Sequence, residues 1–200
     1  MPRSDVIVIG GGVVGLSCAY YLNQSGYGVT VLDRGTQDKK SSCSWGSAGM
    51  IVPSHIVPLA APGVIKQGIK WLLDPESPFS IEFKPSMEMI SWLWQFRKAA
   101  NLEHVKAAAR ILLELGLASR SLFLELGQEL NFGLGTKGIL MLCAGEQALK
   151  EEYAISAMAR ELGMEAEDLK ADGVSSIETG METTVLGGVH YPLDCHIDPV

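Results

Sequence analysis

A run of four apolar residues, Val6-Ile7-Val8-Ile9, ends on Gly10-Gly11-Gly12-Val13-Val14-Gly15, and this stretch limits what the chain can fold into more than any other. Its glycines have the spacing G-x-G-x-x-G. A helical pattern follows to about Ser25, Gly26 stops it, and a second apolar run, Val29-Thr30-Val31-Leu32, closes on Asp33. Strand, glycine turn, helix, second strand and terminal acid, in that order, describe a βαβ unit. In such a unit Gly10 allows the tight turn, Gly12 leaves no Cβ between the backbone and a pyrophosphate, and Gly15 lets the helix lie close on the sheet. The helix N-terminus then offers unpaired N–H groups to phosphate oxygens. Asp33 sits near the place, about 20 residues on, where an acid hydrogen-bonds a ribose diol. A carboxylate there repels a 2′-phosphate, which disfavours NADP. The competing reading is a glycine-rich turn in an unrelated α/β protein, and it leaves the complete order of parts unexplained.

The 200 residues can bury one good core or two modest ones, and 47% hydrophobic with 20% charged residues suits a folded globular protein. A net charge of −7 without a basic cluster argues against nucleic acid as a partner. The N-terminus lacks the pattern of a secretory signal, and no segment approaches the roughly 20 apolar residues of a membrane span. Cys18, Cys43, Cys143 and Cys195 are scattered, as are the four histidines, so the expectation is reduced thiols, a cytoplasmic location and no metal site. A full dinucleotide-binding sheet needs more parallel strands than the two readable here, so the chain is expected to be the N-terminal part of a longer protein, truncated at its C-terminus.

Beyond Asp33 and Arg34 comes a polar loop, then Cys43-Ser44-Trp45-Gly46-Ser47-Ala48-Gly49-Met50-Ile51. Small side chains bring backbone close to a flat ligand, and the hydroxyls of Ser44 and Ser47 suit phosphate or ribitol oxygens. From the residues alone, a plain Ser/Gly linker reads equally well. His55 follows in a proline-punctuated segment. The apolar spacing predicts a short amphipathic helix over residues 64–73 and a second helix over residues 87–98. Apolar residues cover nearly the whole circumference of the second, so it is expected to be buried, with a partner subunit or a membrane surface as the alternative. Asn101 caps a long helix to about Gly127, with a break possible at Gly116 and an apolar stripe of Val105, Ala109, Leu112, Leu122 and Leu126. A strand over residues 138–143, a helix over 146–162, an ambiguous acidic segment over 165–177 and a strand over 185–191 complete the reading. In that last strand Gly187-Gly188 signals a bulge or a close backbone approach. Strict βα alternation is lost after residue 59. The expected fold class is therefore α/β, a Rossmann-like dinucleotide-binding βαβ domain with an inserted α+β domain. Its expected boundaries are 1–58, 59–193 for the insertion, and 194–200 for the return.

Residues 7–15, Tyr20-Tyr21-Leu22, residues 29–34 and Ser47-Ala48-Gly49-Met50-Ile51 resemble the FAD-dependent D-amino-acid oxidase superfamily. Within it the chain is most similar to the bacterial D-amino-acid dehydrogenase small-subunit group, with glycine oxidase next. Leu59-Ala60-Ala61-Pro62-Gly63, Lys70-Trp71 and Trp92-Leu93-Trp94-Gln95 carry the dehydrogenase likeness, and residues 194–199 resemble the return to the nucleotide domain. The resemblance implies FAD as cofactor. Gly10, Gly12, Val13, Val14 and Gly15 would lie at its pyrophosphate, Asp33 with Arg34 at the adenosine ribose, and Cys43 and Ser44 near the flavin phosphate and ribityl chain. Ala48, Gly49 and Met50 would border the isoalloxazine ring. Ser47 stands where many dehydrogenase relatives have asparagine, and it shortens that contact. The family's length implies a further C-terminal half that supplies basic substrate-binding residues.

The implied reaction is oxidation of a small amino acid, in which hydride passes from Cα to flavin N5 and water hydrolyses the imino acid to a keto acid and ammonia. Met50, Ile51 and His55 are the candidates near substrate. A quinone or another carrier would take the electrons, with a peripheral contact to the inner face of a membrane through the Trp92 to Phe96 segment. The rivals are a glycine or sarcosine oxidase using oxygen, an NAD-dependent dehydrogenase, and a non-catalytic nucleotide-binding subunit or fragment.

Overall fold

The computed structural model describes residues 3–36, 44–72, 77, 86–179 and 184–198. The chain divides into two units: residues 1–50, 131–134 and 196–200 form the first, and residues 51–130 and 135–195 the second.

The first unit is built on strand β1 (Arg3–Ile9), helix α1 (Val13–Gln24) and strand β2 (Tyr27–Leu32), and β1 and β2 pair in parallel with Val6 to Ile9 opposite Val29 to Leu32. Parallel pairing requires a crossover, which α1 supplies. Gly26, with φ of +84°, reverses the chain after Ser25, as the left-handed end of a helix demands. Ile7, Ile9 and Leu32 remain exposed in this two-stranded sheet. The segment after β7 (Cys195–His196) returns beside Gly49, whose carbonyl accepts from Ile197 N at 2.8 Å. Asp198 N donates to the Phe132 carbonyl at 3.3 Å, which places residues 131–134 in this unit as well. The units thus divide at 50/51 and 195/196, where the sequence suggested 58/59 and 193/194, and the 131–134 excursion carries no sequence signal. Ser54 is tied by two hydrogen bonds to Asp194, so the chain after Ile51 already packs with the second unit.

The second unit contains helices α2 (Val64–Leu72), α3 (Met87–Ala99), α4 (Leu102–Glu129), α5 (Glu146–Glu161) and α6 (Ala171–Ile177), and an antiparallel sheet of β4 (Ile139–Cys143), β6 (Gly187–Tyr191) and β5 (Glu167–Lys170), with β6 in the centre. Strand β3 (Met50–Ile51) pairs with β7. Asn101 caps α4 as expected, its Oδ1 accepting from His104 N at 2.9 Å. The helix runs unbroken through Gly116, because that position packs on Pro53: a β-carbon there would lie 2.9 Å from Pro53 Cα. Its buried stripe is Val105, Ala109 and Leu113, a strict i, i+4 row, rather than the row through Leu112, and Leu122 is exposed. Ala109 and Leu113 join Ile56, Ala159, Met164, Val189 and Tyr191 in the core.

Two ambiguities resolve in the sheet. The acidic segment becomes β5 followed directly by α6, and Gly187-Gly188 marks close approach without a bulge. β-Carbons at these glycines would lie 2.5 Å from the Leu169 carbonyl oxygen and 2.2 Å from that of Met141. The expectation that α3 is buried fails, because none of its residues is. Trp92 and Trp94 are 54% and 64% exposed, and Met87, Ile90 and Leu93 are exposed with them. An apolar circumference satisfies a buried helix, but it does not supply a neighbour to bury it.

Candidate functional site: the glycine turn and Asp33

Gly10 N donates to the Leu32 carbonyl at 2.7 Å, which fastens the turn to the end of β2. Gly10 itself has φ of +103°, a conformation glycine adopts without strain. A β-carbon at Gly15 would lie 1.9 Å from the Gly10 carbonyl oxygen, so only glycine lets α1 start this close to the turn. Gly12 occupies the N-cap and has no side chain to accept from the first helical turn, which leaves the N–H groups of Val14 and Gly15 directed at whatever lies beyond the helix end.

Asp33 follows β2 immediately and stands at the same place. One carboxylate oxygen accepts from Gly11 N and the other from Gly35 N at 2.6 Å. Each oxygen carries two lone pairs, so the exposed carboxylate keeps acceptor capacity for ligand hydroxyls while the backbone fixes its direction. Gly11, a variable position of the glycine pattern, thus holds the acid, a role its spacing does not signal. Arg34 is exposed beside it.

Ser44 reaches this end of α1 too: its Oγ accepts from Val13 N at 3.0 Å. Gly46 and Gly49 have φ of +66° and +62°, so the chain from Ser44 to Met50 coils tightly. Ser47 Oγ accepts from Gly49 N at 3.4 Å, Ala48 is exposed, Gly49 is buried, and Met50 is 41% exposed. Cys43 lies outside the described residues. The structure therefore brings Gly10, Gly12, Val13, Val14, Gly15, Asp33 and Ser44 together at one helix end. Of the candidates near substrate, Ile51 is buried and His55 is exposed, and both belong to the second unit.

The model of the family described as "DAO: FAD dependent oxidoreductase" matches residues 5–200. The chain belongs to this family. Among solved structures, the DAO-family chain is similar to glycine oxidase from Bacillus cereus ATCC 14579, with a TM-score of 0.62 at 21% identity over 98% of this chain and 40% of that one. It is similar to glycine oxidase from Geobacillus kaustophilus, with a TM-score of 0.63 at 20% identity over 98% and 40%. L-alpha-glycerophosphate oxidase from Mycoplasma pneumoniae, in a structure with FAD bound, gives a TM-score of 0.60 at 16% identity over 99% and 40%. Likeness at these identities concerns the fold, and the chain spans about 40% of the length of each of these relatives. The family's FAD fits the residues present: amides directed out of a side-chain-free N-cap suit a pyrophosphate, and a backbone-held carboxylate suits a ribose diol.

Proposed function

We propose that the protein is an FAD-dependent oxidoreductase that oxidises small amino acids, D-isomers foremost, and passes the electrons to a quinone or another carrier. The observation that carries the nucleotide half of this reading is the Asp33 carboxylate held against Gly11 N at the N-terminus of α1. The substrate half is supported by the resemblance of residues 59–63, 70–71 and 92–95 to the D-amino-acid dehydrogenase group, and by the glycine oxidases among similar folds. In this reading the Val14 and Gly15 amides bind the pyrophosphate, Asp33 with Arg34 orients the adenosine end, and Ser44 lies near the flavin phosphate. Ser47, Ala48 and Gly49 bring backbone close to the ring, and the exposed Met50 side chain keeps water from it. FAD, when bound, supplies the electron sink that turns a Cα–H amine into an imine, which water hydrolyses to a keto acid and ammonia. The protein's own part is to hold and orient.

A lipid-soluble acceptor calls for a peripheral contact with the inner face of a membrane, and the exposed Trp92, Leu93 and Trp94 of α3 with Arg97 and Lys98 supply an interfacial surface. Among the described residues no helix is long and apolar enough to cross a membrane. The likeness to glycine oxidases favours a second reading, glycine or sarcosine oxidation with oxygen as acceptor. The test uses the intact protein loaded with FAD. D-alanine, L-alanine, glycine and proline are added in turn without air, and D-alanine is expected to bleach the visible flavin band, with a quinone analogue restoring it. Bleaching by glycine alone with peroxide formed in air selects the second reading, and no bleaching by any amino acid overturns both.

A further inference from the structure

The second unit contains a cleft of about 200 Å³. Its apolar lining comes from Ile56 and Val57 of the chain after β3, Met141 of β4 and Ile155 of α5. Ser54 and His55 line it as well. One carboxylate enters it, that of Glu152, half-buried and one helical turn before Ile155. Tyr191, buried at the end of β6, donates its hydroxyl to Glu152 Oε1 at 2.7 Å and so fixes the carboxylate's orientation. Burial and the neighbouring carboxylate hold the Tyr191 proton far above the ordinary phenol range, so the hydroxyl remains a donor to Glu152.

We propose that this cleft binds a small organic ammonium ion, its charged head on Glu152 and its alkyl body between Ile56, Val57, Met141 and Ile155. A carboxylate offers about four acceptor sites, and Tyr191 occupies one. Among the described residues no lysine or arginine lines the cleft, so a partly desolvated anion there gains from a cation supplied from outside. The apolar walls select one with a hydrocarbon body. A divalent metal is the poorer match, because it needs several oxygen or nitrogen ligands and the described residues hold no group of three that could provide them. An anion would be opposed by the Glu152 carboxylate. The site is built wholly within the second unit.

The test is an amide NMR titration of the full chain with n-butylammonium chloride, with n-butanol as neutral isostere, at about pH 8, where alkylamines are still protonated and ordinary imidazoles are not. Expected are saturable shifts at Val57, Glu152 and Ile155, an affinity at least about tenfold above that for n-butanol, and a loss of about tenfold or more in Glu152→Gln. Val57→Trp keeps the carboxylate and fills the cleft, so it is expected to abolish the shifts even if Glu152→Gln fails to fold. Absence of saturable shifts with the wild-type chain, equal binding of the alcohol, or wild-type binding in the folded variants overturns the proposal.

Discussion

Gly15→Ala puts a methyl group where the backbone leaves no room. The added carbon would lie 1.9 Å from the Gly10 carbonyl oxygen and 3.0 Å from its carbon, and both are main-chain atoms that no rotamer change can move. A carbon–oxygen contact normally needs about 3.3 Å, so the start of α1 must retreat from the turn by about 1 Å or more. Overpacking of this kind costs about 1–3 kcal/mol. The same retreat carries the Val14 and Gly15 N–H groups away from the phosphate position, and hydrogen bonds stretched from about 2.9 Å by that distance are lost. FAD affinity is therefore expected to fall by about tenfold to a hundredfold. Gly10→Ala is the instructive companion. Among the described residues nothing lies within 4 Å of its added carbon, so its penalty, about 1–3 kcal/mol, comes from a φ of +103°. Urea unfolding followed by circular dichroism gives the stability change, and fluorescence titration with FAD gives the affinity. A Gly15→Ala protein that unfolds at the wild-type urea concentration and binds FAD equally well refutes the reasoning.

Leu113→Ala is expected to cost about 2–4 kcal/mol in urea unfolding, whereas Leu122→Ala, at an exposed position of the same helix, stays within about 0.5 kcal/mol. Asp194 is fully buried and accepts from Ser54 N at 3.1 Å and Ser54 Oγ at 2.5 Å, so Asp194→Ala strands two buried donors and is expected to cost about 2–4 kcal/mol by the same assay. Burial raises the Asp194 carboxyl above its ordinary value although the Ser54 bonds oppose this, so its contribution is fully present below the ordinary aspartate range and declines as pH rises through the raised value. Asp194→Asn is therefore expected to gain on the wild type as pH rises. Asp168 has the opposite sign. Its hydrogen bond from Arg160, with Arg160 Nη2 at 2.9 Å, lowers its carboxyl, so its contribution is present above the ordinary range and is lost as pH falls through the lowered value. Asp168→Asn should therefore destabilise at pH 7 more than at pH 3, as pH-dependent urea curves will measure.

The glycine turn was legible in the sequence because each of its signals is local. Gly10, Gly15 and Gly26 are required by backbone geometry within a few residues, and Asp33 is placed by the length of one βαβ unit. Helix starts were legible for the same reason, as at Asn101. What was not legible depends on partners far along the chain. Ser54 and Asp194 meet across 140 positions and move the division between the units, and Glu152 meets Tyr191 only through the fold of the sheet. The stripe of α4 slipped from Leu112 to Leu113 because periodicity gives a face to within one residue, while Pro53 packing on Gly116 sets the rotation. For α3 the composition was read correctly as apolar, but burial is a property of neighbours.

The most direct test of the central claim, that Asp33 receives the ribose of a flavin adenine dinucleotide at the start of α1, is competition for FAD on the intact protein. ADP and its counterpart phosphorylated on the ribose 2′-hydroxyl are titrated in parallel against bound FAD. The carboxylate at 33 predicts that ADP displaces FAD, with the 2′-phosphorylated compound weaker by about tenfold or more. Equal displacement by the two compounds, or none by ADP, contradicts it.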